Sequence, residues 1–402
     1  MNEAIELNNI EVKNLKDNSN LLYQPETDSR IDTTNNRYKI IELSSDTFEE
    51  MWEDYVLQHS EAHIYDHPLW FKALEHEYNR KGCVLICLDI NDNIKGVLPL
   101  LPTLGLPLKL KDLVTTRRYS SLPRTPLGGM LTDDCEAKKM LLNEATKRAN
   151  ERGKTFLQLK SYSPDECNLN TEIKQIPWRS SYYLELPDKP EMIRFGNKKN
   201  HHKIKWGVNK AKNLGIKVRE ANSEEDLKIW YKLYLETMRW HVVAVRPYRF
   251  FEFLWKNLVQ KGLLTILLAE CQVDGKNQLL SGSMFLHFNK TFFYSFNGRC
   301  QTGLASHAND LIQWEAIHLA TQKGYKFYDM GEVTCNNSGL AQFKSKWGCI
   351  TRPVYHYYYP LNKEVNSDEI DISANVKLRK LIWRKVPLYV TQQWGILTNR
   401  FL

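Results

Sequence analysis

The sequence contains no apolar run long enough to cross a bilayer: the longest, Leu263 to Ala269, is far short of the roughly 20 residues that a membrane helix requires. No transmembrane helix is expected. The amino terminus also lacks the basic start, apolar block and small-residue cleavage site of a secretory signal. Residues 1–37 are rich in Asn, Asp and Glu instead, which reads as a disordered leader on a cytoplasmic protein. None of the eight cysteines lies in a C-x-x-C pair. That spacing excludes a zinc ribbon and a small secreted disulfide scaffold, and all eight are expected to be reduced thiols. Acidic residues are missing from two stretches. None lies between Arg194 and Arg219, which include nine Lys or Arg residues, and none follows Asp371.

What is present is the composition of a folded chain. Of 402 residues, 42% are hydrophobic, 25% charged and 11% aromatic, enough apolar material for two domains each with its own core. The net charge of +8 is moderate and names no partner by itself. Its clustering is more informative.

From Tyr38 onward, hydrophobic periodicity and turn residues predict a mixed α/β pattern that occurs twice. The first pass reads strand Lys39–Leu43, helices Asp46–Gln58 and Leu69–Tyr78, and a hairpin of Cys83–Ile90 with Gly96–Pro102. A helix Glu136–Arg152, ended by Gly153, then leads into strand Thr155–Lys160. The second reads strand Ile216–Arg219, helices Glu224–Met238 and Pro247–Gln260, and a hairpin of Leu263–Cys271 with Gly282–Phe288. Strand Thr291–Asn297, helix Asn309–Gln322 and strand Lys326–Met330 complete it. Matching elements lie roughly 180 residues apart, so an internal duplication is the simplest architecture. The expected division is a leader at 1–37, domains at 38–185 and 186–360, and a basic, aromatic amphipathic tail at 361–402.

Three patches carry chemistry: the basic segment Asn197-Lys-Lys-Asn-His-His-Lys-Ile-Lys-Trp206, the strand end Asp329-Met-Gly-Glu332, and Gly339-Leu-Ala-Gln-Phe-Lys-Ser-Lys-Trp-Gly348. In this order they resemble the FemAB-type branch of the GNAT acyltransferase superfamily, over about Lys39 to Tyr359. The last block is the most specific. The resemblance implies tandem duplicated GNAT-type domains that move an acyl or aminoacyl group onto an amine. Relatives of this kind occur in peptidoglycan cross-bridge formation and exopolysaccharide export.

Such a reaction needs a neutral amine, donors for an oxyanion and a hold on a large anionic donor. Lys344, set between Phe343 and Trp347, is the candidate cation, with its ammonium expected to project into a cleft. The competing reading is a solvated lysine beside a core Phe and Trp. Glu332 and Asp329, at the carboxyl end of a strand, are the candidate proton acceptors, Asp329 having the more structural look. At helical spacing, Ile204, Val208, Ala211 and Gly215 form an apolar stripe. That leaves Lys198, Lys199, Lys203, Lys205 and Lys210 to present a field of one sign to phosphates.

His59, His63 and His67 recur every four residues, but Asp66-His67-Pro68 reads as a helix-entry turn. A cleft loop bearing His67 and Trp70 is expected there, and no metal. The loop Gly298 to Asn309, with Arg299 as a phosphate contact, departs from the usual GNAT Gln/Arg-x-x-Gly-x-Gly/Ala spacing. The donor is therefore left as acyl-CoA or aminoacyl-tRNA, with no permanently bound cofactor. The tail mixes Arg379, Lys380, Arg384 and Lys385 with Trp383, Tyr389 and Trp394, the composition of a segment on an anionic membrane or of a helix docked on the second domain.

The function expected is N-acyl or aminoacyl transfer by a monomer to a glycan or lipid-linked precursor, peripheral on the inner face of the cytoplasmic membrane. Two alternatives stand beside it. One is an acetyl-CoA-dependent N-acetyltransferase on a soluble amino sugar, and the other a non-catalytic scaffold binding nucleic acid or an export complex.

Overall fold

The computed structural model describes residues 37–43, 49–103, 118–151, 156–162, 173–300, 305–334, 337–359 and 383–399. The expected leader, Gly153, most of the tail before Trp383 and residues 301–304 of the donor loop lie outside this set.

In the first half come β1 (Tyr38–Leu43), α1 (Glu49–Gln58), α2 (Pro68–Tyr78), β2 (Cys83–Asp89), β3 (Ile94–Thr103), β4 (Arg118–Ser120), α3 (Cys135–Glu151), β5 (Phe156–Ser161) and β6 (Lys174–Glu185). The second half supplies α4 (Lys198–Asn213), β7 (Lys217–Glu220), α5 (Glu224–His241), α6 (Tyr248–Leu258), β8 (Leu264–Val273), β9 (Lys276–Phe288), β10 (Thr291–Arg299), α7 (Ala308–Gln322), β11 (Phe327–Val333), α8 (Ser338–Lys346) and β12 (Ile350–Tyr359). Helix α9 (Leu388–Asn399) follows. Local chemistry sets several of these boundaries. Pro68 sits at the first turn of α2 and Asn79 ends it in the left-handed conformation, as the missing proline donor and the short polar side chain favour. Ser223 caps α5, which has Glu224, Glu225 and Asp226 in its first turn and Arg239 and His241 in its last, each sign placed to suit the helix dipole.

All the strands join one twelve-stranded sheet in the order β1-β2-β3-β4-β5-β12-β6-β11-β10-β9-β8-β7. Read inward from its two edges, the sheet is the same six-strand unit twice. In each unit the first four strands pair antiparallel, the fourth and fifth pair parallel, and the fifth meets an antiparallel sixth. The sixth strands are exchanged: β12, from the second half, pairs with β5, and β6, from the first, pairs with β11. The duplication is therefore present in the register itself, and each half is completed by the other.

Strand alternation buries both faces of the sheet. Val84, Ile86 and Leu88 of β2 point into one cluster and Leu85 and Cys87 into another; Met284 and Leu286 of β9 oppose Phe285 in the same way. This is why β2 and β8 read as near-continuous apolar runs. On one face a single cluster spans both halves, with Trp52, Trp70 and Phe71 joining Trp230, Phe250 and Phe251. On the other face α3 covers the first half, and α4 with α7 the second.

Three expectations are corrected here. Gly215 is exposed and outside the helix stripe, because α4 ends at Asn213 and the chain turns at φ 74. His67 and Trp70 are buried rather than in a cleft loop. His67 caps α2, its Nδ1 accepting from the Leu69 amide at 3.2 Å, and the Trp70 indole donates to Thr125 Oγ1 at 3.0 Å. Cys135 is disulfide-bonded, while Cys87, Cys271 and Cys349 are among the free thiols; sequence spacing carries no information on which sulfurs the fold brings together.

Candidate active site

β10 and β11 stay together for three parallel pairs, ending at Phe293 with Asp329. Beyond that point β10 follows β9 to Arg299 and β11 follows β6 to Val333, each with a register shift at the parting. A wedge opens between the two strand ends, with Asp329 at its apex.

Three donors hold the Asp329 carboxylate. The Tyr162 hydroxyl donates to Oδ2 at 3.1 Å, Arg352 Nη2 to the same oxygen at 3.0 Å, and the Gly331 amide to Oδ1 at 2.6 Å. The Arg352 guanidinium also lies 3.3 Å from the Tyr162 ring centroid, a cation over an aromatic face. Gly331 has φ 76, a conformation that costs glycine little and other residues more. It turns the chain so that the Gly331 and Glu332 carbonyls both face Lys344, whose Nζ donates to them at 2.9 and 3.0 Å.

Lys344 is only 3% exposed, so its ammonium does not project freely into a cleft and is not a solvated surface charge. It is built into the wall of the wedge, 5.6 Å from the Tyr182 ring centroid. Burial pushes it down to about 8. Glu332, on the same strand end, faces Arg179 Nη1 at 3.4 Å. Burial raises its carboxyl above the usual range, while Lys160 and Arg179 pull the other way.

Tyr162 and Arg352, the side chains that hold Asp329, also line a cavity of about 390 Å³ together with His63, Gly129, Lys160 and Ser161 among others; the buried Asp329 is not itself part of its lining. The buried Lys160 ammonium donates to the carbonyls of Thr125 at 2.6 Å and Leu122 at 3.3 Å, and burial lowers it to about 8. The neighbouring His356 is pushed down to about 2 by burial and by Lys160, Arg179 and Arg118, and stacks on Trp178 with centroids 4.3 Å apart. Three cations, Lys138, Lys160 and Arg352, line the cavity together with three carboxylates, Glu61, Asp66 and Asp133, so both signs of charge are present on its wall.

Asp329, Glu332 and Lys344 are therefore brought together as expected from sequence. The basic helix α4 buries Ile204, Val208 and Ala211 and exposes Lys198, Lys199, Lys203, Lys205 and Lys210. Its Gly207 meets the start of α7 so closely that a Cβ would lie 3.0 Å from His307 Nδ1. Arg299 lines a separate pocket with Arg239 and Arg384. The three repeating histidines turn to three different carboxylates, His59 to Asp133, His63 to Asp66 and His67 to Glu53. Lys160, Tyr162, Arg179 and Arg352 were not visible as site residues in the sequence. They come from strands or strand ends with no local motif, and only the exchanged β6 and β12 bring them to Asp329.

The two buried lysines make a pH prediction. An unfolded lysine titrates near 10.4, so between about pH 8 and pH 10 the unfolded chain binds more protons than the folded one and stability rises with pH. Each lysine should contribute about 1 kcal/mol per pH unit in that window. Chemical denaturation at pH 7.5 and 9.5 would show it, and Lys160→Met should remove its share; a midpoint that falls over this range in both proteins would contradict the assignment.

Residues 198–345 match the acetyltransferase (GNAT) domain family. No curated protein matches the chain by sequence. Among solved structures, FemX superposes with a TM-score of 0.59 at 15% identity, covering 81% of this chain and 98% of that one. L-PGS from Bacillus licheniformis gives 0.50 at 10%, covering 84% and 97%. The C-terminal domain of a proposed lysylphosphatidylglycerol synthetase from Agrobacterium fabrum gives 0.51 at 9%, covering 84% and 95%. Among the described residues no helix is long and apolar enough to cross a membrane. The domain match, the superpositions and the duplicated sheet agree: residues 198–345 carry a GNAT acetyltransferase domain, and the chain as a whole shares the fold of these structures.

Proposed function

We propose that the protein transfers an acyl or aminoacyl group to an amine of a cell-envelope or exopolysaccharide glycan precursor. The observation that carries this reading is the continuity of the site. Tyr162 and Arg352 line the cavity and also hold Asp329, at the apex of the wedge that Lys344 braces. An acceptor in the cavity and a donor along the wedge would meet at Asp329. The similarity to FemX and to a domain named for lysylphosphatidylglycerol synthesis supports an acceptor held at the cell envelope.

In this reaction the amine nitrogen attacks the acyl carbon and a C–N bond forms. The thioester C–S or ester C–O bond of the donor breaks, and the leaving sulfur or oxygen takes up a proton. Glu332, whose carboxyl burial raises above its ordinary range and so makes a stronger base, accepts the ammonium proton. The Lys344 charge at the wedge wall opposes the negative charge that develops on the acyl oxygen. Helix α4 holds the phosphates of the donor, acyl-CoA or a charged tRNA, through its exposed lysines. We assign residues 38–185 and 186–360 as the two units, and the inner membrane face as the working location.

Purified protein offered acyl-CoAs and charged tRNAs, with a soluble amine acceptor, tests the reading. The wild type should turn over one donor class and Glu332→Gln should lose most of that activity; equal activity in both would remove Glu332 as the base. Reversing Lys199, Lys203 and Lys210 to Glu should raise the donor KM and flatten its dependence on salt, since exposed cations act through screened charge. An unaltered salt slope would make α4 a solvated face.

A further inference from the structure

Helix α9 is docked on α5, and what it leaves uncovered is apolar. Its inner face is Thr391 and Gly395, both buried; a Cβ at Gly395 would lie 2.2 Å from Val245 Cγ2. Arg239 Nη1 donates to the Val386 carbonyl at 2.9 Å and Arg384 Nε to the Trp240 carbonyl at 3.1 Å, tying the tail to α5 from both sides. The opposite arc of the helix carries Tyr389, Val390, Trp394 and Leu397, of which Tyr389 is 69% and Trp394 52% exposed. Val242 and Val243, just beyond α5, are also exposed. A monomeric domain seldom shows water this many large apolar side chains in one place.

Beside this ridge lies a pocket of about 150 Å³ lined by Arg239, Arg299, Arg384, Glu236, Thr237 and Trp240. Three guanidiniums share it with one carboxylate, and among the described residues none of the three forms an ion pair. The Arg384 guanidinium is held flat, 4.0 Å from the Trp240 ring centroid, while Lys385 is exposed next to it. The positive field reaches His241, which burial and then Arg299 and Arg384 keep below its ordinary value.

We infer that this surface seats the protein on an anionic phospholipid bilayer, Trp394, Leu397, Tyr389 and Val390 entering the acyl boundary while the arginine pocket takes a lipid phosphate. Apolar side chains with two aromatic rings beside a basic pocket are the makeup of an interfacial helix. A nucleic acid would satisfy the arginines but leave the apolar arc in water, so the bilayer fits both halves of the surface. This deepens the membrane part of the proposed function and does not depend on the transfer chemistry.

Full-length protein should co-sediment with vesicles of equimolar phosphatidylcholine and phosphatidylglycerol and not with phosphatidylcholine alone. Brominated acyl chains in those vesicles should quench its tryptophan emission. Trp394→Ser with Leu397→Ser should weaken partition at least tenfold, with an unchanged melting curve and unchanged activity on a soluble acceptor. Arg384→Gln with Lys385→Gln should remove the preference for phosphatidylglycerol. The inference is overturned if wild-type protein ignores anionic vesicles or shows no bromine quenching. It is equally overturned if a short RNA binds in a manner sensitive to Arg384→Gln while vesicles do not bind. Because the soluble-acceptor assay is read separately, loss of vesicle binding and loss of catalysis are distinguishable.

Discussion

Replacing Lys344 with methionine should lower turnover by about 10² or more, with a smaller change in acceptor KM. Removing one preorganised donor from a developing oxyanion typically costs roughly 3 kcal/mol of transition-state stabilisation, and Lys344 is the cation fixed to the Gly331 and Glu332 carbonyls at the end of β11 beside the wedge. Methionine keeps the length and apolar stem and removes the charge. The effect on folding should be small, since two carbonyl bonds are lost but a buried ammonium no longer has to be desolvated. The pH profile separates chemistry from bracing. With the group lowered to about 8, wild-type activity should decline as pH rises through that value and the ammonium is lost. Lys344→Arg, which stays charged, should lack that decline. Turnover unchanged in Lys344→Met would take the residue out of the mechanism.

The largest stability loss should come from Glu77→Gln, at about 3 to 5 kcal/mol, the range for breaking a buried ion pair on one side only. Glu77, 0% exposed on α2 of the first half, pairs with Arg246 of the second, itself buried. It also faces Arg124 Nη1 at 3.4 Å. Arg124 reaches across to the Ala244 carbonyl at 2.7 Å, and Arg249 donates to the carbonyls of His76 and Glu77 at 2.6 Å each. This cluster locks α2 against the α5–α6 connection, and without the carboxylate Arg246 remains charged in a dry site. Urea unfolding measures the loss. Combining Glu77→Leu with Arg246→Met should restore much of it, because an apolar pair of similar volume needs no counter-charge. A loss below about 1 kcal/mol for Glu77→Gln would mean that water reaches the pair.

Periodicity and capping located most helices and strands within a few residues, because α2, α5 and the β2–β3 and β8–β9 hairpins carry their signals locally. Strands β6 and β12 escaped. Pro177, Trp178, Ser180 and Ser181 break the alternation in β6, and Arg352 and Pro353 break it in β12; each is a strand because of partners far away in sequence. The site divides the same way. Asp329, Glu332 and Lys344 could be read because two of the patches place them within one short stretch. Tyr162, Arg179 and Arg352 could not, since each becomes a site residue only where separate strands meet. His67 and Trp70 show the converse: polar and aromatic side chains around a helix entry suggest a cleft, whereas the His67 ring caps the helix and the Trp70 indole finds Thr125 inside the core.

The exchanged sixth strands also constrain how the chain is made. On a ribosome adding about 5 to 20 residues per second, β12 emerges some 10 to 40 s after β5, the strand it must join. Meanwhile β6 is already present and occupies, in its own unit, the place that β12 takes beside β5. The nascent first half can therefore satisfy the open edge of β5 with β6, and must release that pairing when the second half arrives. An isolated first half, expressed alone, should settle into that self-paired sheet or exchange β6 with a second copy of itself.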